Sequence, residues 1–157
     1  MISANANDAE AVAGFIAVVR VETALWRRAE VALRDAGCVA PGTFDLLREI
    51  AGLDLCRVQD LAEVMLITVG GASQAVDRAV QNGLAERGPH PTDRRSQTVA
   101  LTAAGRNALR DAGTVVAEVM RQFARGTYDE VDRATLAHLL PDPHTPGARV
   151  SPQGAAL

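Results

Sequence analysis

Ser73, Gln74 and Arg78 lie close together in a stretch that holds much of the chain's usable polar chemistry. An amide such as that of Gln74 can pair with the edge of adenine, and a guanidinium such as that of Arg78 with guanine or phosphate; a hydroxyl such as that of Ser73 suits either. Thr68, just upstream, is a residue type that caps a helix start, where freed backbone N–H groups can meet a phosphate. Plainer readings exist for each. Arg78 can hold an acid, and Asp77 suits an internal partnership with an arginine of the wing that follows. Enzymatic chemistry has less to work with: His90, His138 and His144 are scattered, and no nucleophile-base pair or glycine-rich phosphate loop is present. Cys38 and Cys56 fit no metal spacing. The expectation is no catalytic residue, no metal and no cofactor.

The elements that must position these residues follow from apolar spacing. Val58, Leu61, Ala62 and Met65 recur at intervals of three and four, which predicts a short helix over 57–66 with one apolar face. Ala72, Val76, Ala79 and Val80 do the same for a helix over 69–82, turning Gly70, Ser73, Gln74, Asp77, Arg78 and Gln81 outward. Strands over 84–87 and 97–101 flank a charged turn, 88–95. Helix, turn, helix, wing is an order in which the second helix can enter a DNA major groove, although any small helical domain shows similar faces.

Asp77-Arg78, then Asn82-Gly83-Leu84-Ala85-Glu86-Arg87, then Asp93-Arg94-Arg95 and Leu101-Thr102-Ala103-Ala104-Gly105 fall in the order and spacing of a known pattern. They resemble the MarR family of winged-helix transcription regulators, with Ala79 where that pattern usually has leucine and Ala85 where it has valine. The resemblance covers roughly 11–140. It implies that Asp93 orients the wing and that Arg95 reaches a minor groove, with Arg94 sharing that role. His90 adds a phosphate contact only when protonated, and a solvated histidine is the preferred reading. The family usually has polar side chains in the first turn of the second helix, whereas this chain has Val69-Gly70-Gly71. Glycine weakens a helix by about 1 kcal/mol relative to alanine, so the pair asks for a reason, such as close approach of backbone to DNA. Shape readout then carries more of the specificity.

Composition sets the outer limits. A chain of 157 residues makes one domain, and no apolar run approaches the roughly 20 residues that span a bilayer. The first residues lack the basic start and apolar block of a secretory signal, so a cytoplasmic protein is expected. Cytosolic cysteines are mostly reduced, which makes Cys38 and Cys56 structural residues first and redox sensors second. Net charge is −3, all sixteen positive side chains are arginine, and 57–106 holds six arginines against five acids. Local placement of charge therefore matters more than bulk.

The flanks read as long helices. Over 8–36, with Asp8 as N-cap and Gly37 as stop, Val12, Phe15, Val19, Trp26 and Leu33 form a stripe. A second helix, 41–51, has proline in its first turn and Gly52 beyond its end, with Phe44, Leu47 and Ile50 inward. After the wing, 103–125 carries Leu109, Ala112, Val116, Val119 and Phe123. Thr127 and Glu130 then make a capping box that starts a final helix to 140, and 141–157 holds four prolines and no pattern. The expected fold is mostly α with a small β-wing. A winged helix-turn-helix lobe over 41–102 stands beside dimerisation helices 8–36 and 103–140, with disordered ends 1–7 and 141–157.

The resemblance implies a homodimeric, cytoplasmic DNA-binding regulator. It takes a pseudo-palindromic operator in double-stranded DNA, with half-sites roughly 34–36 Å apart, and acts as a repressor released by a small-molecule effector. Aromatic or phenolic effectors in that family would here draw on Trp26, Phe44 and Leu47, yet isolated aromatics at helical spacing are usually core, and the chain has only five. The alternative is a winged-helix module that binds a protein partner rather than DNA, which the acidic balance and the glycine pair favour and the wing arginines disfavour.

Overall fold

A computed structural model of the chain describes residues 6–92 and 96–125, with side chains from residue 11 onward. The final helix expected to 140, the tail 141–157 and the wing residues Asp93, Arg94 and Arg95 lie outside the described residues. The elements are α1 (Ala6–Asp35), α2 (Pro41–Gly52), α3 (Val58–Val64), α4 (Val69–Gln81), β1 (Ala85–Pro89), β2 (Gln97–Leu101) and α5 (Ala103–Ala124). This is the expected order, mostly helical with a two-stranded antiparallel wing.

Helix starts follow their side chains. Pro41 opens α2, where its missing N–H costs nothing. The Arg57 backbone N–H donates to Asp60 Oδ2 at 2.9 Å ahead of α3. α1 begins at Ala6, so Asp8 lies inside the helix rather than capping it, and Ala6 and Asn7, expected to be disordered, are helical. Gly52 is the last residue of α2, not a stop beyond it.

Helix ends share one geometry. At the ends of α1, α3 and α4 a residue takes the left-handed conformation: Gly37 (φ 66), Leu66 (φ 55) and Gly83 (φ 70). In each case its N–H reaches back three residues and the next N–H reaches back five. Gly37 donates to Arg34 (3.0 Å) and Cys38 to Leu33 (2.9 Å); Leu66 to Glu63 (3.2 Å) and Ile67 to Ala62 (3.0 Å); Gly83 to Val80 (2.9 Å) and Leu84 to Ala79 (2.9 Å). Paired bonds of this kind satisfy the last carbonyls of a helix and turn the chain sharply. Leu66 does so without the freedom of glycine.

The chain divides into two compact units whose boundaries fall inside α1 and α5: Met1–Ala24 with Gln122–Leu157, and Leu25–Arg121. The second unit is thus wider than the expected lobe, because the end of α1 from Leu25, with Leu33 fully buried, groups with it. Its core joins Leu46, Leu47 and Ile50 of α2, Leu61 and Ala62 of α3, Ala72, Val76 and Ala79 of α4, and Ala85, Val99 and Leu101 of the wing. α2 packs on β2, α3 and α4, and α4 packs on α3 and β1. The β1–β2 register runs from Ala85 opposite Leu101 to Pro89 opposite Gln97. A further backbone bond, Val99 N–H to the Cys56 carbonyl at 2.8 Å, ties β2 to the segment that enters α3.

The first unit shows a different surface. Val21 and Phe123 are buried, whereas Val12, Phe15, Ile16, Val18 and Val19 stand exposed along α1, Phe15 at 66%.

Candidate nucleic-acid interface

The start of α4 is built on Thr68. Its backbone is extended, and its Oγ1 accepts the Gly71 N–H at 3.1 Å. A Cβ at position 71 would come within 3.2 Å of that hydroxyl, so Gly71 leaves the cap its room. Gly70 has no such internal reason. Its φ is not positive, and a Cβ there would meet nothing within 4 Å.

Along α4, Ala72, Val76 and Ala79 are buried while Gln74, Asp77, Arg78 and Gln81 are exposed. The outward face is therefore Gly70, Gln74, Arg78 and Gln81. Ser73, expected on that face, is half-buried, because it lies on the flank shared with Val76 and Val80, one and two turns on. Arg78 has no carboxylate partner among the described residues. Asp77 does have a cation: Arg87 Nη2 lies 2.8 Å from its Oδ1, which fastens the outward side of α4 to β1 of the wing. No charged side chain interrupts the stretch between Glu63 and Asp77.

The segment Leu101-Thr102-Ala103-Ala104-Gly105 closes the base of the wing. Thr102 Oγ1 donates to the Gly83 carbonyl at 2.6 Å and accepts the Gly105 N–H at 3.0 Å, capping α5, while the Thr102 N–H donates to Leu84 at 3.1 Å. A Cβ at Gly105 would collide with the Leu84 carbonyl oxygen. One hydroxyl and one missing methyl group thus lock the turn after α4 against the start of α5. Arg106 Nη1 also donates to the Leu101 carbonyl at 2.7 Å. At the other end of the hairpin the His90 N–H donates to the Ser96 carbonyl at 3.1 Å, and His90 Nδ1 lies 3.4 Å from the Thr92 nitrogen.

Trp26, Phe44 and Leu47, expected at an effector pocket, differ in burial. Leu47 is fully buried in the core, where α2 packs on α3, α4 and β2. Phe44 is half-buried, its ring facing α5 at Gly113, and Trp26 stands 47% exposed. Two clefts of about 610 and 380 Å³ lie elsewhere. The larger is lined by Leu53, Leu55, Arg57, Glu63 and His90 among others, the smaller by Ile50, Cys56, Val99 and Arg106 among others.

Cys56 forms part of the core, and burial, followed by the nearby Asp60 charge, pushes its thiol up to about 11. Such a thiol stays protonated and unreactive at neutral pH. Cys38 is half-buried with Sγ 3.9 Å from the Ala36 carbonyl, and no disulfide joins the two. Among the described residues no cluster of histidine, cysteine and carboxylate could hold a metal, and no helix is long and apolar enough to cross a membrane.

One surface feature has no counterpart in the sequence expectations. Leu66, in the turn between α3 and α4, is 92% exposed, beside exposed Val64, Ile67 and Val69. The available signal is that a leucine follows α3 where a helix stop usually has glycine.

A model of the MarR family matches residues 39–96, the segment from the start of α2 to the wing turn. No curated protein sequence matches the chain. Among solved structures, the apo form of MarR from E. coli superposes with a TM-score of 0.66 at 23% identity, over 78% of this chain and 90% of that one. A mutant of the same E. coli regulator complexed with operator DNA gives 0.66 at 23%, over 78% and 86%. CouR from Rhodococcus jostii, bound to p-coumaroyl-CoA, gives 0.64 at 23%, over 78% and 85%. At this level of identity the likeness establishes the fold, helix-turn-helix and wing included.

Proposed function

We propose, from a MarR-type winged helix-turn-helix that the family model matches over 39–96 and the shared fold reproduces, that this chain is a homodimeric transcription regulator that binds operator DNA. The observation that carries the reading is α4 itself: one face is fully committed to the core, while Gln74, Arg78 and Gln81 stand exposed on the other, beside a wing tied on through Asp77 and Arg87. In this reading α4 enters the major groove, Gln74 and Arg78 meet base edges or phosphate, and Thr68 fixes the helix start against the backbone, with Ser73 contributing from the flank. Arg94 and Arg95, oriented by Asp93, extend the contact to the neighbouring groove.

The regulator acts as a repressor, and an effector releases it by changing the distance between the two recognition helices. A complex of one structural neighbour with p-coumaroyl-CoA, and the regulation of another from Bordetella bronchiseptica by 6-hydroxynicotinic acid, support an effector of small aromatic type. Of the residues expected at an effector site, Trp26 and Phe44 have surface to offer it.

The test is titration of purified protein against labelled duplexes from upstream of its own gene at several salt concentrations, beside Gln74→Ala and Arg95→Ala. Saturable binding that survives competitor DNA, weakens with salt and falls in both variants is the expected result. Binding that is only non-specific, with both variants equal to wild type, moves the function to a protein partner, the reading that the net charge of −3 and the glycine pair favour.

A further inference from the structure

We propose that Leu66 and Val69 form an apolar tip that reads the 5-methyl groups of thymines in each half-site, an inference that rests on the DNA-binding reading above. Leu66 is 92% exposed and takes φ 55. Solvent and backbone both disfavour leucine there; the two equivalent helix ends use glycine, Gly37 and Gly83, and among the described non-glycine residues only Leu55 shares the left-handed conformation. So little of Leu66 is covered that packing inside the chain does not account for it. It is also held ready. The Leu66 and Ile67 N–H groups are both bonded back into α3, so the side chain projects from a braced turn.

Val69 extends the same surface at the first helical position of α4, 53% exposed, with Ile67 at 41% between them. The surroundings select the occupant. No acid or base lies between Glu63 and Asp77, and Asp77 is held by Arg87, so nothing in the stretch repels a polyanion. Gly70, facing outward without a Cβ, lets another surface approach the helix backbone. Beyond the tip, the outward face of α4 carries Gln74, Arg78 and Gln81, which suits a groove lined with hydrogen-bonding edges and not an apolar protein surface. In the major groove the apolar group on offer is the thymine methyl, which aliphatic side chains contact.

The experiment starts from duplexes enriched out of a random pool by rounds of selection on the full-length protein. Each thymine is then replaced in turn by deoxyuridine, which removes the methyl group and leaves the hydrogen-bonding edge. Wild type is expected to bind roughly fourfold more weakly for each contacted methyl removed, from about 0.8 kcal/mol per buried carbon. Leu66→Asn, which tolerates the left-handed backbone, and Val69→Ser are expected to melt like wild type and to lose the distinction between thymine and uracil. Equal wild-type binding to thymine and uracil duplexes overturns the proposal, as does a thymine preference that persists in both variants. If selection enriches no duplex at all, the DNA-binding reading fails first and takes the tip with it.

Discussion

A single methyl group at position 105 would occupy the space of the Leu84 carbonyl oxygen. Gly105→Ala is therefore expected to force the turn after α4 away from α5 and to destabilise the fold by about 1–3 kcal/mol, the usual range for overpacking, seen as a lower melting temperature. That glycine belonged to a legible motif, yet its reason did not, because the oxygen it avoids lies twenty-one positions upstream and meets it only through the closed wing. Cys56 makes a second prediction at this scale. Its thiol ionises near 11 when folded against an ordinary 9.0, so the unfolded chain loses its proton first as pH rises. Stability from this group is intact below pH 9 and is lost between 9 and 11, by at most on the order of 3 kcal/mol. Denaturant melts of wild type and Cys56→Ala over that window should show the steeper alkaline loss in wild type.

Between elements, the tie from α4 to β1 is one ion pair, Asp77 to Arg87, with the Asp77 side chain 55% exposed. An exposed pair of this kind contributes little to stability, under about 1 kcal/mol. Asp77→Ala is accordingly expected to leave the melting temperature nearly unchanged and to weaken operator binding several-fold, because the wing loses its bearing on the recognition helix. Comparing thermal melts with DNA titrations separates the two effects. Thr68, the two helix faces and the second strand were readable because each rests on local chemistry: a hydroxyl before a helix, spacing of three and four, alternation of two. The left-handed Leu66 was not, since leucine carries no turn signal, and the Cys56–Val99 bond was not, since a one-residue bridge leaves no pattern. The spacing in α2 marks Leu47 as inward-facing and does not show how tightly its neighbours close over it. Ser73 shows the same limit on a flank.

For the molecule as a whole, the exposed run of Val12, Phe15, Ile16, Val18 and Val19 is more apolar surface than an isolated helix comfortably leaves in water. A second copy of the chain is the partner that the proposed function requires there. Phe15→Asp should weaken that association by about two to four orders of magnitude, since each buried phenylalanine is worth about 1.5–3 kcal/mol and symmetry counts it twice. Sedimentation should show monomers at concentrations where wild type is dimeric, with full-operator affinity lost alongside. The two strands of the wing are anchored at the root, by Thr102 on Gly83 and by Arg87 on Asp77, so whatever peptide joins Pro89 to Gln97 departs and returns at settled positions. Lengthening that peptide carries an entropic penalty that grows only as the logarithm of its length, with no rearrangement of the core beneath. In the proposed function, exchanging that peptide would change what the wing meets on DNA while the rest of the chain stays as it is.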